Sequence, residues 1–382
     1  MRDCVDVVII ASGTTKGVSG GDLHSFRLGA YMAGSLRKRV GIGVVPSVAE
    51  LLPAYVAELV REDMVTAEWS GRSMLMYPAV LVVRLGRIVA RGPRAQVVVV
   101  ASHFLNDVFC LLWYRLRFGA QGVVHVHHLI SQQDRSSGVR DSLSRVAERV
   151  SLWFVVRSSA FVAVGDRQAV GHLVKCGVDP GRVVLLDFGV DSWGAPWECR
   201  FDAPERYILS VGRLAPSKGA EDLVNLASLL VKNGVDARVV VVGGGELEAQ
   251  LREGIRDRGI DNVVLRGSVS DDVLGDLYRS ATAFVSLSRE EGYGLAVEQA
   301  LRSGIPTVAY EIPALNRIRE HALLVKSGSV DGVADALTRV LGSRALYREA
   351  SSAALSYKGK EWDEALAGEI AGLIAAGLKL CV

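Results

Sequence analysis

Short apolar runs rich in β-branched residues recur along nearly the whole chain, separated by longer stretches whose apolar positions have helical spacing. VDVVII, VGIGVV, AQVVVVAS, GVVHVHHL, AFVAVG and RVVLLDFG form a first series; RYILSVG, ARVVVVGGG, NVVLRG, TAFVSLS and PTVAYE form a second. Runs with no polar alternation predict strands buried on both faces, and strands spaced by helices imply parallel sheets with crossover helices. The pattern therefore predicts an α/β chain with two parallel-sheet domains. Between the two series, DSWGAPWECRFDAP loses all periodicity and is rich in Trp, Pro and Gly, which places the domain boundary there. The domains are expected at residues 1–195 and 205–357, followed by a helical tail over 358–382.

Composition agrees with two cores: 382 residues, 49% of them hydrophobic and 23% charged. No apolar run reaches the roughly 18 residues of a membrane span, since Leu152 to Val164 is cut by Arg157 and Met74 to Val83 is too short. Asp3 and Asp6 stand where a leader would need an uncharged stretch, so the expectation is a cytoplasmic chain whose first strand begins near Val5. The five cysteines, Cys4, Cys110, Cys176, Cys199 and Cys381, form no CxxC pair and read as reduced, mostly buried thiols. Charge is uneven. Residues 1–200 carry 23 Lys and Arg against 17 Asp and Glu, so this half is the one suited to an anionic partner. No nucleic-acid partner is expected.

In open α/β sheets ligands sit beyond the carboxyl ends of the strands, so the loops that follow strands are where chemistry belongs. In SVGRLAPSKGAEDL, Arg213 and Lys218 flank a glycine turn and suit a phosphate, the alternative being a solvated loop with surface cations. In VVVVGGGELEAQL, glycines from Gly243 and Gly244 onward permit close approach to a ligand or simply turn the chain. In SREEGYGLAVEQAL, Gly292 and Gly294 bracket Tyr293 ahead of a helix that starts near Leu295, whose open N–H groups favour an anion. Glu290 and Glu291 in that loop would repel a phosphate but would accept hydrogen bonds from sugar hydroxyls. Near the N-terminus, Gly20, Gly21 and Asp22 head another helix, a second anion-binding start. No Walker lysine and no GxGxxG accompanies these glycines. His125 and His127 lie on one face of a strand, but no Cys or carboxylate is in sequence reach to complete a metal site. A histidine at the strand's end facing a ligand is the more economical reading, and no metal is expected.

On these motifs the chain resembles the family 4 glycosyltransferases, retaining and metal-independent enzymes of the GT-B fold. SVGRLAPSKG, VVVVGGGELEAQL, NVVLRGSVSDDVLGDLYRSATAFVSLS and EEGYGLAVEQALRSGIPTVAYE carry the resemblance in order; SGGD, VVVVASHF, VVHVHHL and LLDFGVD carry it more loosely. The resemblance implies two Rossmann-like domains facing across a cleft, with a C-terminal helix, here around Trp362, crossing back to the N-terminal domain. It implies a nucleotide diphosphate sugar as donor and a glycan or lipid-linked acceptor, with no cofactor. Arg213 and Lys218 would bind the diphosphate, Glu291 and His127 the sugar, and Gly20 and Gly21 would approach the phosphates. The family's second glutamate falls on Gln299 when Gly292, Gly294, Ala300 and Gly304 are aligned; the other register keeps Glu298 but misplaces every glycine. Glu298 and Arg302, at i and i+4, are then expected as a solvent-facing ion pair. Pro313, Ala314 and Phe188 depart from the family pattern.

Two other readings fit the same motifs: a nucleotide-sugar epimerase of this fold, and a non-catalytic nucleotide-sugar binder. Finally, Arg84, Arg87, Arg91 and Arg94 fall on a narrow arc at helical spacing, either as the solvated side of a crossover helix or as a peripheral contact of the N-terminal domain with the inner face of the membrane.

Overall fold

The computed structural model describes residues 4–11, 20–45, 49, 52, 54–64, 86, 88, 90–127, 129, 139–158, 160–165, 167–191, 193 and 200–380. The chain divides into two compact units, Met1–Gly189 with Trp362–Val382, and Val190–Glu361.

In the first unit the strands β1 (Cys4–Ala11), β2 (Val40–Val44), β3 (Arg94–Val100), β4 (Gln121–Val126), β5 (Phe161–Val164) and β6 (Val183–Leu185) form one sheet in the order β2-β1-β3-β4-β5-β6. Every pairing is parallel. Val7, Val8, Ile9 and Ile10 are all fully buried, as an apolar run without alternation requires when helices cover both faces. The longer helices among its described residues are α1 (Gly20–Gly34), α2 (Leu105–Phe118), α3 (Val139–Ser158) and α4 (Arg167–Lys175).

The second unit repeats the plan. β7 (Tyr207–Val211), β8 (Arg238–Val242), β9 (Val263–Gly267), β10 (Ala283–Ser286), β11 (Thr307–Glu311) and β12 (Leu323–Lys326) form a parallel sheet in the order β12-β11-β10-β7-β8-β9. Around it lie α5 (Asp222–Lys232), α6 (Glu248–Asp257), α7 (Asp271–Ser280), α8 (Leu295–Arg302), α9 (Val330–Gly342) and α10 (Arg344–Leu355). In this order β7 and β10 are neighbours although β8 and β9 come between them in the chain, so the strand order reverses there. That switch point is where an open α/β sheet leaves a crevice.

The last helix, α11 (Trp362–Ala375), belongs to the first unit. A Cβ on Gly189 would lie 2.3 Å from Trp362 Cα, so only glycine allows this contact. Gln121 Nε2 donates to Gly377 O, and Lys379 N donates to Gln121 Oε1.

Two expectations need correction. Cys4 and Cys176 are exposed and Cys110 is buried, so the described thiols are not mostly buried; Cys199 and Cys381 lie outside the described residues. Arg94 opens β3 rather than continuing a helical arc from Arg91, while Arg84 and Arg87 lie outside the described residues. β12 follows no long apolar run: it is a four-residue edge strand with only half-buried or exposed residues, too weak a pattern to predict. Among the described residues, no helix is long and apolar enough to cross a membrane.

Candidate active site

The loops after β7, β8 and β10 are tied together by backbone contacts, and these fix the charged side chains. At the end of β8, Gly243 has φ +125°, and a Cβ there would lie 2.0 Å from Gly212 O. Glycine is required on both counts. Leu214 N donates to Gly244 O at 3.0 Å and Leu247 N to Leu214 O at 3.0 Å, so the glycine run closes on the loop that carries Arg213. The close approach at Gly243 is thus made by backbone to backbone. Gly244 differs, since the nearest atoms to a Cβ there are 3.7 Å away.

The second tie joins the Lys218 loop to the segment after β10. Gly219, at φ +63°, lies against Leu287 O. Arg289 N and Glu290 N both donate to Ser217 O, at 2.9 and 3.2 Å. Asp222, buried at the start of α5, accepts from Arg289 Nη2 at 2.8 Å and from the Tyr310 hydroxyl at 2.9 Å. On this frame Lys218 Nζ sits 2.7 Å from Glu291 Oε1 and donates to Glu290 O at 3.2 Å. Arg213 is exposed and has no ion-pair partner among the described residues. Gly212, Arg213, Lys218, Ser288 and Glu291 line one pocket at the carboxyl ends of β7 and β10. The arrangement can neutralise an anion with two cations while a carboxylate offers acceptors beside it.

Gly294, next to that loop, is the N-cap of α8, and its carbonyl accepts from Val297 N and Glu298 N. The amides of Leu295 and Ala296 precede these bonds and are the helix's open donors. Glu298 corrects the sequence expectation: it is fully buried, and its partner is Arg317, not Arg302. Burial pushes its carboxyl above the ordinary range, although Arg317 draws it down. Arg317 also donates to Tyr293 O at 2.6 Å and stacks 3.9 Å from the Tyr293 ring centroid. Arg302 instead pairs with Glu361 and donates to the carbonyls of Val190, Gly359 and Lys360. Gln299, one residue on, is only half-buried. The structure brings Arg213, Lys218 and Glu291 together and leaves Glu298 on the inner side of α8.

In the first unit, His127 follows β4 directly, and a Cβ on Gly21 would lie 2.3 Å from its ring, so the start of α1 and the end of β4 meet there. Gly20 opens α1. Behind them stands a group the sequence gives no sign of. Glu369, on α11, accepts from His24 Nε2 at 2.6 Å and from His125 Nε2 at 2.9 Å, and all three are fully or almost fully buried. His125 Nδ1 lies 2.8 Å from Ser25 Oγ, which donates its single proton to Gly21 O at 3.2 Å. His125 thus bridges Ser25 and Glu369 through its two ring nitrogens. Burial raises the Glu369 carboxyl, but the two imidazoles outweigh it and hold the group well below the usual carboxylate range. The ligand atoms of His24, His125 and Glu369 lie within 4.8 Å of one another, and they are the one such group among the described residues. A carboxylate is therefore in reach after all, supplied from 244 residues away. Each of its two oxygens lies within hydrogen-bond reach of one imidazole nitrogen. Phe188 packs 4.6 Å from the His24 ring and 5.8 Å from that of His127.

Residues 193–362, nearly all of the second unit, match the family model described as Glycosyl transferases group 1. The whole chain has the fold of the Anabaena protein Alr3699/HepE, solved with UDP and glucose: the TM-score is 0.73 over 98% of this chain and 100% of that one, at 14% identity. This likeness establishes the GT-B architecture, two Rossmann-like α/β halves. Among curated proteins, the chain is 36% identical to the mannosylfructose-phosphate synthase of Agrobacterium fabrum over 36% of this chain and 32% of that protein. It is 30% identical to the GDP-mannose:cellobiosyl-diphosphopolyprenol alpha-mannosyltransferase of Xanthomonas oryzae over 48% of this chain and 51% of that protein. The chain thus spans from a third to about half the length of these relatives.

Proposed function

We propose that the chain is a retaining, metal-independent glycosyltransferase that moves a sugar from a nucleoside diphosphate sugar to the hydroxyl of a glycan or lipid-linked acceptor. The observation that carries this reading is the meeting of Arg213, Lys218 and Glu291 in one pocket at the switch point of the second sheet. The bond that breaks joins the anomeric carbon to a phosphate oxygen, and negative charge grows on the departing diphosphate. Arg213, Lys218 and the open amides at the start of α8 are aimed at such a charge, and charge that develops in the transition state is what preorganised donors stabilise best. The cations take the place of a divalent ion.

Glu291 accepts from sugar hydroxyls, and Gln299 from a ribose hydroxyl, since an amide oxygen also accepts. In the first unit the reading assigns His127 to the sugar and Gly20 and Gly21 to the phosphates. The departing phosphate oxygen takes the acceptor's proton as the acceptor oxygen bonds to the anomeric carbon on the same face. The activities of the relatives, one of which uses GDP-mannose, support a nucleotide-sugar donor.

The test is incubation with UDP-glucose or GDP-mannose, without acceptor and in EDTA, followed by NMR. Slow release of free sugar in the donor's anomeric configuration is expected. An epimerised donor would replace the reading with an isomerase, an unchanged donor with a binding protein, and an inverted anomer would remove retention.

A further inference from the structure

The buried group of His24, His125 and Glu369 stands directly behind the residues of the first unit that the proposed function gives to the donor. His24 and Ser25 lie in the first two turns of α1, which Gly20 opens, and His125 lies near the end of β4, which His127 follows. Glu369 holds both elements at once, 2.6 Å from His24 Nε2 and 2.9 Å from His125 Nε2. From His125 the contacts run on toward the donor side: Nδ1 lies 2.8 Å from Ser25 Oγ, which donates to Gly21 O at 3.2 Å. Gly21 in turn lies so close to the His127 ring that a Cβ would come within 2.3 Å of it. The rings of His24 and His125 meet that of His127 edge-on, with centroids 6.4 and 5.7 Å away.

Helix α11 reaches this place with two residues on one face. Trp362 and Glu369 stand at i and i+7, two turns apart, and the Trp362 ring lies 5.9 Å from that of His24 and 4.7 Å from the Arg27 guanidinium. Packing alone requires no carboxylate and no imidazoles here. Buried ionisable groups lose their hydration, and apolar side chains of similar volume would hold α11 on α1 as firmly. What a satisfied polar network adds is a fixed geometry, because each hydrogen bond admits only a narrow range of distance and angle. We propose that Glu369 is a positioning residue of the active site: through His125 and Ser25 it sets the first turn of α1, and with it the Gly21 backbone and the orientation of the His127 ring against the donor. This role presupposes that Gly21 and His127 meet the donor, as proposed above.

The experiment uses the full chain with Ser25→Ala, Glu369→Asp or Glu369→Gln, assayed at a temperature where circular dichroism shows each variant folded. Hydrolysis of UDP-glucose or GDP-mannose gives kcat, calorimetric titration with UDP or GDP gives Kd and stoichiometry, and the ring C–H correlations of labelled histidines in NMR report on His127. Ser25→Ala is expected to lower kcat about ten-fold, as for a small misplacement of groups that face the substrate. Its nucleotide Kd and stoichiometry should hold, because the second unit carries Arg213 and Lys218, while its His127 correlation should move. Glu369→Asp, which keeps the carboxylate, should retain more of kcat than Glu369→Gln. Ser158→Ala removes a buried hydroxyl of α3 that donates to Val155 O; it is the control and should leave both kcat and the His127 correlation as they were. Wild-type kcat in Ser25→Ala and Glu369→Gln, or an equal loss in Ser158→Ala, overturns the proposal. One equivalent of zinc in elemental analysis of the purified chain would make the three residues its ligands and overturn it too. A donor that leaves the wild-type His127 correlation unmoved refutes the placement of His127 at the sugar and this role with it; a donor that moves it while the variants do not refutes the positioning role alone.

Discussion

Lys218 Nζ and Glu291 Oε1 are 2.7 Å apart, so the cation assigned to the leaving diphosphate and the carboxylate assigned to the sugar form one ion pair. Both side chains are about four-fifths buried, at 22% and 18% exposure, and Lys218 is also held by Glu290 O. Each therefore fixes the position of the other.

Lys218→Ala and Glu291→Ala should each reduce turnover on the order of 10²-fold, as for loss of a preorganised charged group. Because the pair acts as a unit, the double variant should be less impaired than the product of the two, with a coupling of about 1 kcal/mol or more. A double-mutant cycle on kcat/KM measures it; strict additivity would separate the two roles.

Arg213 stands apart, exposed and without an ion-pair partner among the described residues. Arg213→Ala should lower kcat by about 10²-fold while leaving Tm unchanged. A fall in Tm with normal kcat would make it a structural cation.

The two glycines after β8 should behave differently. Gly243→Ala would force a Cβ onto Gly212 O in a left-handed conformation, and a loss of about 1–3 kcal/mol is expected. Gly244→Ala has room in the fold, so its Tm should hold while the donor KM rises if a ligand approaches there. Thermal melts and donor saturation curves of both variants report this.

Glu298 and Gln299 separate stability from activity. Glu298→Ala leaves Arg317 without its buried partner and should cost about 3 kcal/mol of stability. Gln299→Ala should keep Tm and raise the donor KM, and Gln299→Glu should remain active. If Glu298→Gln instead stopped catalysis at normal Tm, the glycine-anchored alignment would be wrong.

The Glu369 cluster makes the first unit sensitive to acid. The carboxyl is held below its ordinary value of 4.5, so its contribution is complete above that value and is lost as pH falls through the depressed folded value. Glu369→Gln should destabilise at neutral pH by about 3–5 kcal/mol, because it removes the buried carboxylate that both imidazoles face. The gap from wild type should narrow below pH 4.5, as urea melts across that range would show.

Several of these residues illustrate how far a sequence reaches. The parallel sheets were legible because strands buried on both faces must be apolar throughout, and the glycine loops because a chain leaving such a strand shows where it turns. Arg213, Lys218 and Glu291 could be named from those loops. Their 2.7 Å pairing could not, since 73 residues separate Lys218 from Glu291 and only the adjacency of β7 and β10 brings their loops together.

The sequence by itself determined the α/β class, the doubled plan and the loops that bear charge, because periodicity and turn residues act over a few neighbouring positions. Tertiary structure alone decided which charges meet. Glu298 reads as the surface partner of Arg302 when only helical spacing is considered, yet the segment Pro313–Ile318 carries Arg317 to it, and the side chain is buried. His24 and Glu369 are 345 residues apart and share a hydrogen bond because α11 packs against α1. Local pattern tells a side chain which face it occupies; what lies opposite that face is set by packing between distant segments.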